Sequence, residues 1–266
     1  MCPRSRLTKR AEAEALWQLK NRSFSQLTQE PGISYSTLRR LLEREIDEEA
    51  LGCIDGEDEI FLGIDEHSFR HQDMVHTVTE VKKRKLLGVL RDERIATLKM
   101  FLKKIPQERV KELCIDMKES LRKLAEQVFP RAKVAVDPFH VIADSNRRMD
   151  EARKIEGDVL RKKKVKIPKK IFLIGGEKLS EEQRAKIAGL LISYPGLKGF
   201  YWAKEKIREL YRQQSREEAA KLLHLIILNL KSDDDGELIR WGNTLRRWSE
   251  SILNHFDKAV TQRSRC

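Results

Sequence analysis

The sequence predicts an α/β protein: a mixed sheet flanked by helices, with helical segments before and after it. Three observations carry that prediction. Short apolar runs of buried-strand length recur at Ile60–Ile64, Val110–Ile115 and Val134–Val136. Met74–Val81 alternates polar and apolar residues as a hairpin strand does, and Lys85–Leu90 follows it closely. Helix-period segments separate the later strands, and only helix signals are found beyond Val141. Hairpin strands followed by two strand–helix units predict a mixed sheet with helices on its faces.

Taken in order, residues 9–45 read as helices. Ala11, Ala15, Leu16 and Leu19 fall at helical spacing, and Ser23 is placed to cap a short second helix through Leu27. Pro31-Gly32 breaks the pattern. Ser34 then caps a third helix, Tyr35 to Glu43, with Leu38, Leu41 and Leu42 on one face. Helix, tight turn and basic helix is the layout of a helix-turn-helix, which would turn Ser34, Tyr35, Ser36, Arg39 and Arg40 toward DNA. The alternative is an ordinary helical hairpin. An acidic stretch at 46–58 reads as a linker. In the sheet region, helices are expected at Ile95–Ile105 and Leu121–Phe129, each closed by a proline. Beyond the last strand, helices are expected at Ala143–Leu160, from Ser180, and over Gly199–Gln213, Ser215–Leu230 and Gly236–Phe256. Phe200, Tyr201, Trp202, Trp241 and Trp248 read as packing anchors of those helices, with base stacking as the alternative. The resulting division is 1–52 for the helix-turn-helix and linker, 53–150 for the core, 151–256 for the helical region and 257–266 for the tail.

Charge narrows the partner. With 54 Lys and Arg against 42 Asp and Glu, the formal net charge of +12 favours a polyanion. The run at Lys162, Lys163 and Lys164 is either a solvated loop or a phosphate contact. Four widely spaced cysteines contain no C-x-x-C pair, so neither a disulfide framework nor a zinc site is indicated. No apolar stretch reaches membrane-span length and no signal region opens the chain, which reads as cytosolic.

Three apolar runs end in carboxylates: Asp65, Asp116 and Asp137, the last followed by His140. Each aspartate alone could merely cap the next helix. Three of them after buried strands suggest acids gathered at the carboxyl edge of a sheet, where open α/β sheets place their sites. Oxygen-donor clusters of this kind suit magnesium or manganese, and such ions suit phosphoryl transfer on nucleic acid.

The motifs then carry a resemblance. G-I-D-E-x-S-F at Gly63–Phe69, I-D-M at Ile115–Met117, V-D-P-F-H-V at Val136–Val141 and T-L-x-x-W-x-x-x-I-L-x-x-F at Thr244–Phe256 occur in this order. Over nearly its whole length the chain is similar to the bacterial insertion-sequence transposases of the "L-three" family, a branch of the DDE transposases. The resemblance implies an RNase H-like core with a helical insertion after the fifth strand. It implies Asp65 and Asp116 as the first two metal-binding acids, with Asp137 and His140 in an accessory role. It further implies Mg2+ or Mn2+ as cofactor and two-metal cleavage and transfer of double-stranded DNA at the element's terminal inverted repeats. The bacterial cytoplasm, at the nucleoid, follows as the location, and a homo-oligomer is left open.

Two departures bear on activity. The family's zinc ribbon does not precede the helices here. The family's third acid, a Glu in a T-N-G-x-x-E-G-x-N-like segment, does not follow Phe256, where the chain runs Asp257 to Cys266. The expectation is a truncated transposase, inactive alone, or a DNA-binding remnant that represses or competes with an intact copy. The basic helices from Ala143 to Phe256 are also expected to lack a segment that returns the chain to the sheet.

Overall fold

Apolar side chains cover both faces of strand β1 (Ile60–Ser68): Ile60, Phe61, Leu62 and Ile64 are all buried. A strand hydrophobic on both faces belongs to the interior of a layered α/β sheet. The computed structural model describes residues 7–19, 22, 24–29, 33–42, 58–68, 74–90, 92–159 and 167–257. It divides into two units, Met1–Lys111 with Glu126–Ala132, and Glu112–Ala125 with Lys133–Cys266. The five strands form a mixed sheet, antiparallel in the first unit and parallel in the second.

The first unit opens with α1 (Lys9–Leu19), α2 (Phe24–Leu27) and α3 (35–42). Ala15, Leu27, Leu38 and Leu41 form their shared core, with Leu7, Leu16, Leu19 and Ile33 packed against it. Ser34 Oγ accepts from Thr37 N at 3.2 Å, the cap that the sequence predicts for α3.

Strand β1 pairs antiparallel with β2 (Met74–Glu80), which pairs with β3 (Lys85–Val89) through a register shift at Val78/Thr79. Gly63 permits the close crossing: a Cβ there would meet Thr79 Oγ1 at 2.7 Å. Buried Glu80 is satisfied locally, because its carboxylate accepts from Phe61 N at 3.1 Å and from the Lys83 amide. That bond fixes the turn in which Arg84 takes φ 52°. Helix α4 (Ile95–Leu102) buries Leu98, Phe101 and Leu102.

In the second unit β4 (Val110–Ile115, its last four residues here) pairs parallel with β5 (Lys133–Val136), Ile115 opposite Val136. Helix α5 (Glu119–Val128, its first seven residues here) buries Leu121, Leu124 and Ala125. The long α6 (Pro138–Val159) begins five residues earlier than its apolar periodicity indicates. Asp137 makes the difference, because its Oδ1 accepts from Phe139 N at 2.7 Å and starts the helix at the strand end.

The helical region continues with α7 (Lys169–Leu173), α8 (Glu181–Ser193), α9 (Lys198–Leu210), α10 (Arg216–Lys231) and α11 (Gly236–Leu253). Ser180 and Gln183 form a capping box on α8, Ser215 caps α10, and Asp235 caps α11. The Asp233–Asp235 run is the turn between α10 and α11, with Asp235 as the cap of the latter. Helix α6 packs along α9, and α10 along α11. Gly242 lets the latter pair approach: a Cβ there would lie 2.9 Å from Lys231 Cγ. Phe200, Trp241 and Trp248 are buried, with Phe200 and Trp241 stacked at 6.4 Å, so the packing reading of the aromatics holds for these three.

One expectation is corrected. The helical region does return to the sheet: α11 packs on β5, Asn254 Nδ2 donates to Val134 O at 2.9 Å, and Asp257 pairs with Lys133 at 2.8 Å. Sequence periodicity marks the buried face of α11 but not what it packs against, which includes β5.

Candidate active site

Parallel pairing of β4 and β5 sets Asp116 and Asp137 at matching levels. Asp137 N donates to Ile115 O at 3.1 Å, so both aspartates leave their strands at the carboxyl end. The α6 cap at Asp137 then orients the first helical turn. Three residues on, His140 Nε2 stands 2.6 Å from Asp116 Oδ1. Asp116 is buried and His140 half-buried. Phe139, the residue before His140, is 69% exposed and sits edge-on to the His140 ring at 5.3 Å.

Asp65 belongs to the first unit. It lies on β1 opposite Thr77 of β2, whose hydroxyl donates to Asp65 O at 3.4 Å, and Asp65 Oδ1 accepts from Glu66 N at 2.8 Å. Glu66 faces His76, 3.5 Å away and fully buried. Glu66 is thus engaged across the hairpin.

The donor set of the second unit fits a divalent cation. Asp116 Oδ1 is buried and receives no aligned hydrogen bond among the described residues, although an imidazole nitrogen lies 2.6 Å away. The 2.6 Å separation is that of an ion pair, and a cation held by these two groups would displace the proton that they share. A carboxylate with an imidazole suits manganese well and magnesium through its oxygens.

Sequence reasoning misses two groups behind Asp137. Tyr211, at the end of α9, has its phenol pushed well above the ordinary range, by burial first and then by the charges of Asp137 and Cys114. His255 is pulled below its ordinary value by burial, with Asp137 acting in the opposite direction. The two rings pack edge-on at 5.5 Å, and Phe256 stacks on Tyr211 at 6.0 Å. No local sequence signal marks them, because residues over 70 positions away from Asp137 meet it only through helix packing.

Of the DNA-facing candidates, Ser34, Ser36 and Arg40 are exposed, while Tyr35 and Arg39 are half-buried. The Ser34 hydroxyl also lies 3.0 Å from that of Ser36. Lys162, Lys163 and Lys164 lie outside the described residues. Because Ser34 caps α3, Ser34→Ala is expected to cost about 1 kcal/mol of stability in this unit. Amide exchange in α3 checks this: unchanged protection would show the cap to be idle.

A helix-turn-helix ahead of an α/β core with acids at its strand ends defines a class of protein that rearranges DNA. The comparisons agree: residues 62–263 match the transposase model of the ISL3 family, and residues 3–46 match the helix-turn-helix domain of transposase family ISL3. The chain belongs to the ISL3 family of DDE transposases, with the RNase H-like α/β fold of that class and a DNA-binding role in transposition of an insertion sequence. No curated protein matches it. Membership implies use of a divalent metal. Among the described residues no helix is long and apolar enough to cross a membrane.

Proposed function

We propose that Asp65 and Asp116 are the metal-holding acids of a phosphoryl-transfer centre acting on double-stranded DNA at the terminal inverted repeats of the element. The observation that carries this reading is the buried Asp116 beside His140, 2.6 Å apart at the carboxyl end of β4, in a chain of this family. Divalent ions held there, Mg2+ or Mn2+, would supply activation of a water or 3′ hydroxyl and stabilisation of the leaving oxygen. The protein groups have separate tasks. Asp65 and Asp116 present negative oxygens to the cation. His140 orients Asp116 and offers a nitrogen donor. Asp137 starts α6 and so aims His140. Ser34, Tyr35, Ser36, Arg39 and Arg40 hold the duplex, with Lys162, Lys163 and Lys164 on its phosphates. A second copy of the chain would hold the other end of the element.

The proposed centre offers two carboxylates and an imidazole, and water and DNA phosphate oxygens would complete the shells of hard cations, which take about six oxygens each. The second reading is a DNA-binding competitor of an intact transposase, which the helix-turn-helix match supports without any cutting. The test is a plasmid carrying the terminal repeats, incubated with the full chain and manganese. The expected result is a salt-sensitive complex. Manganese-dependent nicking at the ends, lost in Asp65→Ala, would favour the centre, and a complex without nicking would favour the competitor. Absence of any complex at low salt would overturn the whole reading.

A further inference from the structure

We propose that the outer face of α11 is a second duplex-DNA surface, one that grips the phosphate backbone without reading sequence. The proposal rests on the reading above that the chain binds duplex DNA. The inner face of α11 buries Leu238, Trp241, Leu245, Trp248 and Ile252 at three- and four-residue steps. That leaves the opposite face outward, and there Arg240, Asn243, Thr244, Arg246 and Arg247 line one open groove. Arg240, Asn243, Arg246 and Arg247 are all exposed.

The carboxylates of this helix do not neutralise the groove. Glu250 is turned away to Arg216 at 2.6 Å. Glu237 pairs with Arg240. Among the described residues no carboxylate lies within ion-pair distance of Arg246 or Arg247. Arg122 borders the groove from the inner side, donating to Arg247 O at 3.1 Å, lying 4.8 Å over the Trp248 ring and pairing with Glu119 at 2.7 Å. The Glu119 carboxylate is held below its ordinary value by Arg122 first and also by the charge of Arg247, which leaves Arg246 with the least opposing charge of the groove arginines.

The lining selects the ligand. It contains no apolar or aromatic anchor of the kind that carries protein–protein binding energy. The nearby tryptophans, Trp241 and Trp248, are buried and cannot stack on single-stranded bases. Guanidinium groups with an amide and a hydroxyl are the donors that bind phosphate oxygens. Arg240 and Arg247 are seven residues apart, about 10 Å of helix, or roughly three base steps at 3.4 Å each. The face therefore fits a short length of one duplex strand.

The test uses the full chain as Arg246→Gln/Arg247→Gln, with Lys186→Gln/Lys221→Gln as an equal charge loss on other exposed helix faces. Binding is measured over a salt series to a duplex with the terminal repeats, a duplex of unrelated sequence and a single strand. Removing two phosphate contacts should lower the slope of log affinity against log salt by about 2 and weaken both duplexes alike, by about tenfold or more. The lysine control should keep the parent slope, and the unfolding midpoints of all three proteins should agree. A slope equal to the parent's, a loss confined to the terminal repeats, or an equal loss in the control would overturn the proposal. Parent protein that binds no DNA would overturn both this inference and the reading it rests on. Parent protein that binds with the arginine variant unchanged would overturn this inference alone.

Discussion

Asp116→Asn should weaken manganese binding by about 100-fold or more, since loss even of a group that only supports a ligand costs 10–100-fold. The substitution keeps the shape of the side chain and removes its charge. At a buried position next to His140 the change falls on the cation directly, with little water to replace the lost charge. The same change should leave the metal-free protein as stable as the parent or slightly more so, because an amide costs less to bury than a carboxylate. In the parent, manganese at about 100 times its dissociation constant should add roughly 2.7 kcal/mol of stability, and in the variant this gain should vanish. Calorimetric titration and thermal unfolding with and without manganese read both effects. Asp137→Asn separates the roles. Its carboxylate bonds the Phe139 amide, so its loss should loosen the start of α6 and weaken binding less. Equal manganese affinity in parent and Asp116→Asn would remove Asp116 from the centre.

The parts legible in the sequence are those governed by local pattern. Apolar runs marked β1, β4 and β5, and alternation marked β2. The caps at Ser34 and Ser180 stood out because a hydroxyl before a helix satisfies orphan amides wherever the helix leads. Asp116 and His140 were legible as candidates, yet their 2.6 Å approach depends on the parallel register of β4 with β5, which no local spacing specifies. The early start of α6 was missed because Pro138 and Phe139 do not continue the apolar stripe, whereas a proline in the first helical turn is well tolerated. The return of α11 to β5 was missed for a different reason. An amphipathic helix announces its buried face but not its partner, and Asn254, which makes the bond to Val134 O, is a polar residue with no pattern of its own. The groove face was within reach: Arg240, Asn243, Thr244 and Arg247 follow helical spacing opposite the tryptophans.

Trp241→Ala should cost about 4 kcal/mol, within the range for emptying a buried tryptophan site. Trp241 is fully buried in the second turn of α11, stacked on Phe200, with the Arg148 guanidinium 5.5 Å from its ring. Its removal opens a cavity between α9 and α11 that two packed helices cannot close without moving both. Trp241→Phe should behave very differently. The indole Nε1 is buried and has no hydrogen-bond partner among the described residues. Phenylalanine loses part of the packing but also removes that orphan donor, whose burial costs about 1–3 kcal/mol. The two changes oppose each other, so Trp241→Phe should fall within about 1 kcal/mol of the parent. Urea unfolding followed by helical circular dichroism measures both variants. An alanine variant within about 1 kcal/mol of the parent would mean that the α9–α11 contact collapses around the gap, which a close-packed interior resists. Because α11 carries the arginine groove outside and contacts β5, the alanine variant should also lose DNA affinity, while the phenylalanine variant keeps it. That difference ties the packing of one buried ring to the placement of the charges on the far side of the same helix.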